Sequence, residues 1–148
     1  MSLRDLIPIL QIAIGPVILV SGVGLLLLSM TNRFGRVIDR ARQLTRELRT
    51  VAPEHRGSIV AQLRILSRRA RIVRAAIAMA ALSLLLAALL IIVLFLSAVL
   101  QLGFALPITG LFILCMACLI TSLVFFISDI NLSLMALKLE VGSLEDIS

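Results

Sequence analysis

Charged side chains disappear from three long stretches of the chain, residues 6–31, 75–106 and 107–128. Each exceeds the roughly 20 apolar residues that a helix needs to cross a hydrocarbon core of about 30 Å. The pattern predicts an all-α integral membrane protein with three spans, at about 6–31, 75–100 and 107–128. The second and third abut without a charged loop. Between them "QLGFALP", residues 101–107, supplies a glutamine, a glycine and a proline that disfavours helix just before it. It reads as a tight turn at the far interface.

A different periodicity occupies residues 33–74. Phe34, Val37, Ile38, Ala41, Leu44 and Leu48 recur at the three- and four-residue spacing of one helical face. After the turn "VAPEHRG", Ile59, Leu63, Leu66, Ala70 and Val73 alternate by four and three, a heptad seam. These stretches predict two antiparallel helices, a helical hairpin continuous with spans one and two, each projecting about 25 Å. Beyond the third span "LMALKLEVG" reads as a short amphipathic interfacial helix, at about 130–141, followed by an acidic tail.

Composition confirms the class: 61% of the 148 residues are apolar, far above the roughly 45–50% of soluble domains. The region before the first span, "MSLRD", and the length of the apolar run argue against a cleaved signal peptide. Charge then orients the chain. Residues 33–74 hold twelve arginines against Asp39, Glu47 and Glu54, a net of +9. Elsewhere Arg4 and Lys138 face Asp5, Asp129, Glu140, Glu145 and Asp146, a net of −3. Short loops rich in arginine stay cytoplasmic. The N-terminus is therefore expected outside, and the helical hairpin and the C-terminus inside.

The arginines lie on the faces opposite the apolar seams. Their plainest role is to set orientation and touch anionic headgroups of the lipid bilayer. A protein-docking surface, carried by Arg42, Arg46 and Arg49, is the sharper alternative. Nucleic acid is not expected as a partner, because there is no Tyr or Trp to stack on bases and no recognised binding motif.

Within the spans the polar inventory is thin. Gly15, Gly22 and Ser29 fall one heptad apart on span one, and Gly103, Gly110 and Ala117 repeat that spacing around span three. Ala76, Ala80, Ser83 and Ala87 make a similar stripe on span two. Small residues on one stripe let helices approach closely in lipid, so these read as packing seams. More such faces than one chain can use imply self-association. Pro16 should free the carbonyl of Ile12, and with Gln11 this could line a polar path; Thr121 is the corresponding hydroxyl on span three. Hydroxyls in membrane helices more often bond back to their own backbone.

"CMAC", Cys115 and Cys118, sits mid-span without the charged neighbours that activate a thiol, and reads as inert. His55 lies alone in a turn. No metal, cofactor or catalytic set is expected, and the chain does not read as an enzyme. Asp129 ends span three at the depth where "TNR" ends span one. A carboxylate there needs a partner, and Asn32, Arg33 or Arg74 could supply it, as a structural clamp rather than an ion gate.

The run "LQIAIGPVILVSGVGLLLLSMTNRFGRVIDRARQL", then an arginine-bearing pair of helices and two further spans, resembles the bacterial membrane family known as domain of unknown function 2721. That resemblance implies three spans and a bacterial origin and brings no established activity; with the spans, it makes a bacterial inner-membrane location the expectation. In topology alone the chain is also similar to the proton-driven motor subunits of the ExbB and TolQ type, where later spans surround a lumen. Two functional expectations follow: an oligomeric channel lined through Gln11 or Thr121, and a non-conducting adapter docked through its arginines.

Overall fold

A computed structural model describes the backbone of residues 3–101, 103 and 105–145, and the side chains of residues 7–8, 10–101, 103 and 105–135. Nearly all of it is helix. Helix α1 runs Leu3–Thr50, α2 runs Arg56–Leu100 and α3 runs Ala105–Glu145. A single 3₁₀ turn, Pro53–His55, joins the first two. No strand occurs among the described residues. All three helices are long and apolar enough to cross a membrane, by length and composition. At 1.5 Å per residue each extends about 60–70 Å, roughly twice the hydrocarbon thickness. The charged half of each must therefore lie outside the apolar layer.

The helix ends follow local chemistry. The α1–α2 turn is closed by Val51 N–H donating to the Glu47 carbonyl and His55 N–H to that of Ala52, both at 3.1 Å. Pro53 sits at the start of the 3₁₀ turn, where no intrahelical donor is needed. Between α2 and α3 the chain reverses at Gln101, which adopts φ 53°. A left-handed residue just past a helix C-terminus is usually glycine, and glutamine there costs about 1–2 kcal/mol. Leu102 and Phe104 of this turn lie outside the described residues. The expected start of the third span at Pro107 moves forward to Ala105: Pro107 sits in the first turn of α3, where its missing N–H removes no hydrogen bond.

The expected separate helix at 130–141 is instead the unbroken continuation of α3. Nothing after Asp129 could end a helix until Gly142, and even that glycine is helical. Pro8 and Pro16 likewise lie within α1 without ending it.

The described residues fall into two compact units, one of residues up to Ser29 with Ile77–Ser122, the other of Met30–Ala76 with Leu123 onward. In the first, the interior is Ala13 and Val23 of α1, Ala80, Ser83, Ala87 and Leu90 of α2, and Cys115, Cys118 and Ser122 of α3. Ile18, Leu25 and Leu85 are each about two-thirds exposed, as helices facing lipid rather than water would leave them. In the second, Met30, Val37 and Leu44 of α1, Val73 and Ala76 of α2, and Asp129 of α3 are buried.

The spacing of the buried positions accounts for the packing. On α1, Val23, Met30, Val37 and Leu44 fall seven apart; on α3, Cys115, Ser122 and Asp129 do the same. On α2 the buried residues from Val73 to Leu90 alternate by three and four. This is the 3.5-residue repeat of left-handed helix packing.

Candidate functional site

Asp129 is the one charged residue with no exposed surface among the described residues. It continues the seven-residue stripe of Cys115 and Ser122, so the geometry that buries those side chains buries a carboxylate one heptad later. Burying it requires cations. Arg69 Nε donates to Oδ1 at 3.2 Å, and Arg33 Nη2 lies 3.4 Å from Oδ2. The second contact is an ion pair without hydrogen-bond geometry, and Oδ2 accepts no hydrogen bond from a described residue. The Arg33 guanidinium is also held over the Phe126 ring, 5.5 Å from its centroid. The two arginine side chains keep 25% and 18% of their surface exposed, so the pair opens outward on its cationic side.

Of the four residues expected to form a clamp, two lie together. Asp129 and Arg33 come together; Asn32 and Arg74 are exposed and take no part. Arg69 fills the place given to Arg74, and the reason is helical phase. Counting back along α2 from Ala76 by three and four reaches Val73 and then Arg69, whereas Arg74 is turned about 100° away.

The same two arginines line a cleft of about 430 Å³ with Arg36, Arg40, Val37, Leu66 and Ser133. Arg40 donates from Nη1 to Gln43 Oε1 at 3.1 Å, and Gln43 Nε2 to Glu47 Oε1 at 3.2 Å, a polar chain running along α1. Further along, Arg42, Arg46 and Arg49 line a second groove with Ile38, Ala41 and Thr45. Thr45 turns its hydroxyl back to the Ala41 carbonyl at 2.8 Å, leaving guanidiniums as the groove's polar groups. Both apolar faces expected for these stretches, from Phe34 to Leu48 and from Ile59 to Val73, are shielded or buried throughout.

Among the span candidates, Gln11 is exposed. Thr121 donates its hydroxyl to the Ala117 carbonyl at 2.8 Å, the local bonding usual for membrane helices. Gly15, Gly22, Ser29, Gly110 and Ala117 are all exposed in the chain, and a Cβ added at any of the three glycines would meet nothing within 4 Å. The seam within the chain instead uses Val23 and Met30, one position on from Gly22 and Ser29. The α2 stripe of Ala76, Ala80, Ser83 and Ala87 is buried as expected. Cys115 and Cys118 are free and buried. One feature had no signal in the spacing: Ser83 Oγ donates to the Cys115 carbonyl at 3.0 Å while Cys115 Sγ donates to the Ser83 carbonyl at 3.3 Å. This reciprocal latch joins α2 to α3 in mid-span.

A match to the family described as "Protein of unknown function (DUF2721)" covers residues 13–139. The chain belongs to that family. The DUF2721 stretch includes all the buried stripes together with Arg33, Arg69 and Asp129. No curated protein and no solved structure matches the chain.

Proposed function

We propose that this DUF2721 protein is a non-conducting adapter of the bacterial inner membrane, whose basic cytoplasmic helices dock an acidic protein. The observation that carries the reading is the groove of Arg42, Arg46 and Arg49 on α1. Three exposed guanidiniums at i, i+4 and i+7 present forked donors to carboxylates, over a floor that includes Ile38 and Ala41. An amphipathic acidic segment meets both requirements. The +9 charge of residues 33–74 supports a cytoplasmic location for this face, with the N-terminus outside and the C-terminus inside. The chain acts here by binding, not by catalysis.

Site-specific photocrosslinking from position 45 in intact cells tests the reading. The expected result is a discrete crosslink to an acidic protein that disappears in Arg42→Gln/Arg46→Gln/Arg49→Gln, while the variant remains in the membrane. Undiminished crosslinks in the triple variant would overturn it.

Self-association is a second reading, favoured by Gly15, Gly22 and Ser29 lying exposed on one stripe with open space at each glycine. A pore is the weaker form of that reading, since Thr121 is already bonded to its own helix.

A further inference from the structure

We infer that the cleft lined by Arg33, Arg36, Arg40, Arg69 and Ser133 is a binding site for the phosphates of one anionic phospholipid. Charge comes first. Four guanidiniums line the cleft, and the acidic group paired with them among the described residues is Asp129, leaving a formal excess of three positive charges among those residues. Among the described residues Asp129 meets only Arg33 and Arg69, Arg36 has no ion-pair partner, and Arg40 is hydrogen-bonded to the neutral Gln43. Asp129 draws the first two arginines to the inner end of the cleft, where they keep a quarter and a fifth of their side-chain surface open.

Depth selects a lipid over a soluble anion. The first span of α1 ends at Thr31, and the uncharged run of α3 at Ser128, next to Asp129. Arg33 and Arg36 therefore stand about 3–8 Å beyond that end, within a headgroup layer roughly 5–8 Å deep, and Arg40 stands about 14 Å beyond it, on the aqueous side of the cleft. Basic pockets between helices at this level suit anionic headgroups, and an excess of three charges matches a lipid with two phosphodiesters, such as cardiolipin, better than one with a single phosphate. The inference shares with the adapter proposal its membrane-spanning reading and its orientation, and rests on nothing else in that proposal.

The test is native mass spectrometry of the full chain in mild detergent with added cardiolipin, phosphatidylcholine as the neutral control, and a parallel titration with inorganic pyrophosphate. The expected result is one cardiolipin per chain, held under conditions that strip phosphatidylcholine. Arg36→Gln/Arg40→Gln, both exposed, should weaken it roughly 30-fold. Arg64→Gln/Arg68→Gln removes the same charge from exposed positions of α2 outside the cleft and should leave binding unchanged. Equal weakening by the two pairs would overturn the site in favour of diffuse attraction. Equal retention of phosphatidylcholine would also overturn it. Pyrophosphate binding without cardiolipin binding would replace the lipid with a soluble anion.

Discussion

Removing the Asp129 carboxylate would leave Arg33 and Arg69 crowded together, each mostly buried, with no counter-charge between them. Breaking a buried ion pair from one side costs about 3–5 kcal/mol, because the remaining charge keeps its desolvation penalty. Asp129→Ala is expected to destabilise the folded chain by that order, read as a lowered midpoint of SDS-induced unfolding in mixed micelles. The triple replacement Arg33→Met/Arg69→Met/Asp129→Leu should recover most of the loss, since apolar side chains of similar volume need no partner. An Asp129→Ala midpoint equal to that of the parent would show that the cluster is idle. Half of this cluster was legible in the chain: a lone carboxylate closing an apolar run demands a cation, and Arg33 was at the right depth. Arg69 was missed because nearness to the span end favoured Arg74, whereas helical phase, counted from Ala76 through Val73, decides which arginine faces inward.

At the scale of whole helices, each span carries two small-residue stripes or a small stripe beside a large one, and composition alone cannot tell which faces a neighbour. On α2 the alanine stripe is the buried one; on α1 the glycine stripe is exposed and the adjacent Val23, Met30, Val37 and Leu44 are covered. Pairing bulky positions of α1 with alanines of α2 needs no glycine, so the glycines are left for some other surface. The periodicity that predicts each helix is strong, whereas the 100° that separates adjacent stripes depends on all three helices at once. The two stripes therefore separate experimentally. Ala80→Leu, at a position with no exposed surface, should overpack the seam at a cost of about 1–3 kcal/mol and lower the SDS midpoint. Gly22→Leu meets open space and should leave the midpoint unchanged, while lowering the assembled fraction in a crosslinking ladder if copies of the chain meet on that stripe. A Gly22→Leu variant that unfolds as early as Ala80→Leu would mean the glycine stripe packs within the chain.

For the molecule as a whole, charge rather than packing sets the direction in the membrane. Residues 33–74 hold the +9 in segments close to the ends of the first two spans, which is where positive residues resist translocation most strongly. The remaining −3 has little orienting power, because acidic residues contribute weakly to the rule. Two positions read the outcome from opposite sides: Thr50, exposed at the end of α1, and Gln101, exposed in the turn between α2 and α3. Single cysteines there can be compared in a Cys115→Ser/Cys118→Ala background. Serine is chosen at 115 because its hydroxyl can still donate to the Ser83 carbonyl. A membrane-impermeant maleimide added to intact spheroplasts should label Gln101→Cys at once and Thr50→Cys only after lysis. The reverse pattern would place the arginine groove and the arginine cleft outside, where an acidic cytoplasmic protein and an inner-leaflet lipid could reach neither. Orientation is thus the premise shared by the two binding proposals, and this labelling tests it without relying on either.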